Sequence, residues 1–555
     1  MENKRLILAI VLSFLVLVLY QVIFMKNKPQ PEAQPQPEKP VVTEKQAPPA
    51  ADKTLPTPPA QAPEKEGKIG EGQRYEEIKA RAEEQVVIET SLYRAVWTNR
   101  GASLRSWKLK MHRNEQKEEL ELVSRRASEV GRYPFFLETQ DANLDQVVNN
   151  NLFVPSVRSL TLGDGETGEV RFEYSDRNNI KINKSFVFYG GTYDFDVRID
   201  LWKEGQKIEP RLIWGPGIGD PLVTGKRQQF GGGAGVAVFA GDKVYRMDER
   251  KYKGEANAFN FANWAAFEDN YMAALFVTPQ QQGSALFERE GEDKDYVFFL
   301  SVSLPEKAYI GPKEFDRLKK FGHSAKKLIN FGFFGAITEV LLISIKFIHR
   351  YVPNWGFSII VLTLIIKILF FPLTYSGTRS MARMQELQPK IKALRAKYKK
   401  AKQDIAQRRQ MNEEMMKLYK EHGINPAGGC LPMLIQIPVF WGFFRLLVVA
   451  VELRQSPFIL WIKDLTVHDP YYVTPVLMGV TQYISQKMTP TTADPAQAKM
   501  MLIMPVVMTF FFMNFQAGLV LYWLTNNVLQ IGQQYLMNRM MAKKKREAHG
   551  KRRNN

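Results

Sequence analysis

The sequence predicts a polytopic α-helical membrane protein that carries a large exported all-β domain and a cytoplasmic helical hairpin. Three observations lead there. Apolar runs long enough to cross a hydrocarbon core of ~30 Å sit near both ends of the chain. More than 200 residues between them read as short alternating strands separated by turns. Dense positive charge directly follows the C-terminal apolar runs, as it does on the cytoplasmic side of a membrane.

Composition sets the frame. A chain of 555 residues has material for more than one core. Its hydrophobic fraction of 45% looks soluble on average, yet the apolar residues are concentrated in long runs. A formal net charge of +19 calls for nucleic acid, anionic lipid or the cytoplasmic face of a membrane. Much of the excess lies in residues 379 to 420 and in the tail Lys543, Lys544, Lys545, Arg546, Lys551, Arg552 and Arg553. Both follow apolar spans, so no DNA partner is needed, although the tail could also touch ribosomal RNA. Cys430 is the only cysteine, which excludes an intrachain disulfide and a cysteine metal cluster.

The elements follow in order. Lys4 and Arg5 precede the apolar run from Leu6 to Phe24, which exceeds a typical signal-peptide core and has no small-x-small site after it. It reads as an uncleaved signal-anchor rather than a removed leader. Residues 27 to 73 are rich in Pro, Gln, Glu and Ala and read as an extended tether. From Gln85 to Val302 come strands such as VVIETSLYRAVWTN, VRFEYSD, INKSFVFY, YDFDVRIDLW, AALFVTP and DYVFFLSVSL, which predict a large antiparallel β-sandwich. Trp214-Gly215-Pro216-Gly217 and the glycine stretch at 231–235 could rim a cleft, though structural turns are the simpler reading. Residues 324 to 350 mix apolar positions with Lys326, Lys327, Glu339, Lys346 and Arg350, which suits an amphipathic helix lying at the interface. Crossings fit Phe357 to Tyr375, Leu431 to Val451, Tyr471 to Gln486, Met500 to Phe515 and Leu519 to Leu536. With the anchor they make six.

The predicted segments are an anchor at 1–25, a linker at 26–75, the β-domain at 76–322 and the interfacial helix at 323–352. A second crossing at 353–376, a hairpin at 377–425, four crossings within 426–538 and a basic tail at 539–555 complete the chain. Thirteen Lys and Arg against five acids place the 377–425 segment in the cytoplasm. Both termini then lie on that side and the β-domain outside it. Within the segment, Leu387, Ile391, Leu394 and Tyr398 share one helical face, and Met411, Met415 and Leu418 another, with a charged turn from Lys399 to Asp404 between them. That is an antiparallel hairpin. It serves either as a spacer or as a basic surface for lipid headgroups or an incoming chain.

One residue stands out chemically. Lys367 lies ten residues into its span, ~15 Å deep at ~1.5 Å per residue. A lysine there costs ~2.5–3.5 kcal/mol on insertion scales. It is eight residues from Tyr375, too far to snorkel, and no span contains an Asp or Glu; Glu452 and Asp469 lie at the edges. A water-filled groove is the natural solution. Thr363, four residues earlier, shares its face. Gln436, Gln482, Thr525, Asn526, Asn527 and Gln530 also lie within spans, where interhelical hydrogen bonding is the ordinary role. Arg445 is a second intramembrane cation that the sequence leaves unexplained. Met500, Met501, Met504, Met508 and Met513 run along the fifth crossing with Phe510, Phe511 and Phe512. Such a stripe suits either plain lipid-facing packing or a surface accepting many apolar partners. No histidine lies within a span and no GxxxxGK[ST] pattern occurs, which disfavours an intramembrane protease, a metal centre and an ATPase. No cofactor and no metal are expected.

Between residues 310 and 540 the chain reads NWGFSIIVLTLIIK, FFPLTYSGTRSMARMQELQPKI, INPAGGCLPMLIQIPVF, VELRQSPFILWIKDL, DPYYVTPVLMGVTQY, QKMTPTT and GLVLYWLTNN, with YIGPKEFDRLKK at the junction before them. On these motifs it resembles the YidC family of membrane protein insertases. The anchor and the exported domain resemble the Gram-negative members. The resemblance implies a β-supersandwich akin to sugar-binding folds and five core helices around a hydrophilic groove open to cytoplasm and lipid. It also implies a non-enzymatic insertase and chaperone of the bacterial inner membrane, with newly made membrane proteins and the Sec translocon as partners. A basic residue in the groove, usually arginine, attracts acidic parts of the substrate; here Lys367 stands at that position, keeping the charge but losing bidentate carboxylate binding. Thr363, Gln436, Tyr522 and Trp523 would face the groove or its edge, and Met504, Met508 and Phe511 the greasy slide. The competing readings are a small-solute transporter, for which no internal repeat is visible, and an envelope enzyme acting on sugars through the β-domain.

Overall fold

The computed structural model describes residues 75–553 apart from 115, 220–233, 250–251, 253–256, 280–281, 292–295, 304, 399–403, 424–430 and 490–494. The predicted anchor, the linker except Tyr75, and the glycines at 231–233 lie outside the described residues.

Strand-forming residues build two sheets. The smaller runs, in spatial order, Glu119–Glu121, Ser103–Arg113, Tyr93–Thr98, Gln85–Glu89 and Ser159–Thr161. The larger has 14 strands. Burial follows the period of two: along Ile180–Tyr189 every second residue is buried. The strand Met272–Val277 is buried at all six positions, as expected of one flanked on both edges and covered on both faces. Aromatic side chains fill the interior. Tyr93 stacks on Trp107 with ring centroids 4.2 Å apart, and Trp97 packs on Phe135 at 4.6 Å and Phe186 at 4.4 Å.

The alternation of Ile180–Tyr189 carries a lysine inward. Lys184 is fully buried, and its Nζ donates to the carbonyls of Gly101 at 2.6 Å and Phe135 at 2.8 Å. Burial pushes its ammonium down to about 7. The turn that supplies the first carbonyl requires glycine, because Gly101 has φ +63° and a Cβ there would meet the Asn149 carbonyl oxygen. Two short helices interrupt the strands, α1 (Arg126–Val130) and α2 (Ala142–Asn150). The second is capped by Asp141, which accepts from the amides of Asn143 and Leu144. Trp214 is buried and its indole donates to the Gly217 carbonyl at 3.0 Å, so this glycine stretch is a structural turn.

The last strand, Lys307–Pro312, leads into α3 (Phe315–Phe321). A single turn at Ala325–Leu328 and the helix α4 (Gly335–Tyr351) occupy the predicted interfacial stretch. Helix α4 buries Thr338, Leu341, Leu342, Ile345 and Ile348 and leaves Val340, Ile343, Phe347 and Tyr351 exposed. Its Lys346 does not reach solvent alone: Nζ lies 2.7 Å from Asp316 and 3.0 Å from Glu452.

Next come α5 (Trp355–Glu386), α6 (Gln388–Lys397) and α7 (Ile405–Glu421), then α8 (Leu431–Val449), α9 (Val473–Met488), α10 (Pro495–Phe512) and α11 (Ala517–Arg553). Asn354 caps α5 by accepting from the Phe357 amide at 3.1 Å. At 32 residues α5 is about 48 Å long, so it continues some way past a ~30 Å core. The helix runs unbroken through Tyr375 to Glu386, so the first ten residues of the predicted hairpin segment continue the same helix. The hairpin itself is α6 and α7. Met384, Leu387 and Ile391 form its small core against Met415 and Leu418, and Tyr398 donates to Glu414 Oε1 at 2.8 Å. Among the described residues α5 is the one helix long and apolar enough to cross a membrane by those criteria; Ile435–Val449 and Met500–Phe512 are shorter apolar stretches.

Candidate functional site

Helix α11 is the hub of the helical region. Four polar side chains on its first four turns each bond to a different part of the surrounding helices. Tyr522 is fully buried, stacks on Phe443 at 4.3 Å and receives a hydrogen bond from Gln436 Nε2 of α8. Trp523 donates from Nε1 to Gln482 Oε1 of α9 at 3.1 Å, with Phe440 and Phe512 packed on its ring. Asn527 donates to the Met478 carbonyl of α9 at 3.1 Å. Gln530 accepts from Lys367 Nζ of α5 at 2.8 Å. Their spacing follows from helical geometry: Tyr522, Trp523 and Gln530 fall within one sector of about 100° at 3.6 residues per turn.

Lys367 is half-buried. It lies twelve residues after Trp355, about 18 Å along α5. Its acceptor is a neutral amide, not a carboxylate. Neither acid at the span edges serves it: Glu452 pairs with Lys346, and Asp469 accepts from the Trp461 indole and from the backbone amides of Tyr471 and Thr474 at the start of α9.

The other predicted site residues divide. Gln436, Tyr522 and Trp523 are brought together with Lys367 around α11. Thr363 shares the helix but not the chemistry, being buried with its hydroxyl donated to the Ile359 carbonyl at 2.7 Å. Met504 and Phe511 are exposed on α10, whereas Met508 is partly buried against the core. Helix α10 sits close to α9, where a Cβ on Gly479 would meet the Thr509 hydroxyl. Two partners, Gln482 for Trp523 and Gln530 for Lys367, were visible in the sequence only as polar residues within spans. Arg445 gains an account: its Nε donates to the Asn330 carbonyl at 2.7 Å, tying α8 to the segment before α4. A second tie joins Arg454 and Gln455 to the Arg113 carbonyl of the β-domain, each at 3.0 Å.

Comparison with known proteins decides the family. Residues 85–344 match the family described as YidC periplasmic domain, and residues 347–545 match 60Kd inner membrane protein. The membrane protein insertase YidC of Syntrophus aciditrophicus (strain SB) is 37% identical over 570 residues, covering 97% of this chain and 99% of its own. The chain belongs to the YidC family of membrane protein insertases. The YidC of Geobacter metallireducens is 36% identical over 569 residues, with 97% and 99% covered. A crystal structure of an active YidC insertase with its first transmembrane domain resolved covers 83% of this chain and 94% of that one, at 19% identity and a TM-score of 0.37. The chain is thus a non-enzymatic insertase of the inner membrane, and its β-sheet region is the periplasmic domain of the Gram-negative type.

Proposed function

We propose that this insertase inserts and helps fold inner-membrane proteins, alone or with the Sec translocon, by drawing substrate into a hydrophilic groove in which Lys367 is the attracting charge. The carrying observation is a half-buried lysine deep in the longest apolar helix whose acceptor is an amide. A cation without a fixed counter-charge keeps its electrostatic capacity for an acidic segment passing by. Trp523 and Gln482 line the groove, with the Gln436–Tyr522 hydrogen bond buried behind them at its edge. The exposed Met504 and Phe511, with Met508 beneath them, provide the slide by which an apolar segment leaves for lipid. Transfer at ~25 cal/mol per Å² of apolar surface drives the step without ATP. Six crossings, both termini and the hairpin in the cytoplasm, and α4 along the periplasmic interface complete the arrangement. The basic tail is suited to the ribosome or to anionic lipid.

The test is rescue of a depleted strain with Lys367→Ala, Lys367→Arg and Lys367→Glu, read as translocation of a reporter with an acidic extracytoplasmic segment. Arg is expected to rescue fully, Ala partly and Glu least. Equal rescue by Glu and Arg would sink the electrostatic reading.

A further inference from the structure

We propose that Gln530 is the positioning residue for Lys367, a neutral place-holder for the substrate's carboxylate that holds the ammonium ready until an acidic extracytoplasmic segment displaces it. The inference rests on the reading of Lys367 as the substrate-attracting charge.

A lysine side chain has four rotatable bonds and a compact charge, so without an acceptor at depth its ammonium would wander among many rotamers. The 2.8 Å bond from Lys367 Nζ to Gln530 Oε1 prevents that. The acceptor is itself well placed. Gln530 lies seven residues after Trp523 and three after Asn527, both of which anchor α11 to α9 through their own hydrogen bonds. The position of the lysine is therefore set by a helix fixed on another side.

The chemical choice of an amide matters. A carbonyl oxygen accepting from an ammonium makes a charge-assisted bond, strong enough to orient the side chain. It remains weaker than a low-dielectric ion pair, so a substrate carboxylate can outcompete it. A glutamate at the same position would give Lys367 a permanent counter-ion and remove its attraction for substrate. An amide also carries two N–H donors. Once the ammonium turns to the incoming carboxylate, the freed Gln530 amide can donate to that same carboxylate.

The full-length protein is tested with two reporters that differ only in having an acidic or a neutralised extracytoplasmic segment, together with thermal unfolding in detergent. Gln530→Glu is expected to lower insertion of the acidic reporter about tenfold or more, the effect of a built-in ion pair competing with the substrate. Its unfolding temperature should not fall. Gln530→Leu is expected to narrow the difference between the two reporters, because the lysine is no longer aimed. A merely structural role for Gln530 predicts the reverse: both reporters falling alike, in step with a lower unfolding temperature. That result overturns the inference, as does an acidic reporter inserted by Gln530→Glu at the unmodified rate. The Lys367→Ala control separates the two levels. If it still favours the acidic reporter, the reading of Lys367 fails; if it loses that preference while Gln530→Glu keeps it, only the role of Gln530 fails.

Discussion

Lys184 in the periplasmic domain and Lys367 in the helical region both turn their ammonium groups to neutral oxygens, but with opposite consequences. Lys184 is fully buried between two backbone carbonyls, Gly101 and Phe135, each of which belongs to a turn of the main chain. Lys367 is half-buried and held by one side-chain amide on a neighbouring helix. Backbone acceptors make a lysine a structural pin. A rotatable amide leaves it exchangeable. On the proposed reading of Lys367, a structural cation and a functional one differ in what holds them rather than in depth.

The contrast can be broken at either end. Lys184→Ala removes a buried side chain and orphans two carbonyls, and should destabilise the protein by roughly 3 kcal/mol in denaturant unfolding. Insertion by the molecules that still fold should be unchanged. Equal stability, or a specific loss of insertion, would erase the distinction between the two lysines. Lys367→Ala is expected to do the opposite, sparing stability and impairing insertion.

A smaller effect concerns pH. The folded-state value of Lys184, about 7, lies below its ordinary value of 10.5, so between them the unfolded chain binds more protons. Stability contributed through this group therefore rises as pH climbs from about 7 to 10.5 and is lost as pH falls back. The stability difference between the native protein and Lys184→Met, measured across that window, should move in this sense. A flat difference would mean the lysine stays charged in the core.

The smallest expected effect is at the groove wall. Trp523→Phe keeps the ring against Phe440 and Phe512 but loses the bond to Gln482, and should cost about 1 kcal/mol in stability. Insertion should fall less than with any change at Lys367. A larger loss would place the indole N–H in substrate handling rather than helix packing.

Much of this architecture is legible in the chain. The alternation in INKSFVFY predicts its strand and puts Lys184 on the inward face, and the heptad-like apolar positions around Leu387 and Met415 predict the hairpin. Boundaries were less legible. Nothing local stops α5 at Tyr375, because its polar continuation through Arg379 and Arg383 is as helix-compatible as the apolar part, and the helix ends only at Glu386. The spacing puts Thr363 on the Lys367 face of its helix, yet a threonine in a helix can satisfy its hydroxyl on the carbonyl four residues back, and this one does.

The sequence by itself determined that Lys367 lies deep in an apolar helix and that the apolar runs hold no acid to neutralise it, and it sets the expectation for the side of the membrane that each charged segment takes. Depth, hydrophobic length and charge bias are properties of contiguous residues, and helical rise converts them directly into distance. Only the tertiary structure decided what each buried cation touches: Gln530 for Lys367 across 163 positions, Gly101 for Lys184 across 83, and Asn330 for Arg445 across 115. Those partners depend on the register of one element against another. The close packing of many side chains at once sets that register, and no local pattern encodes it.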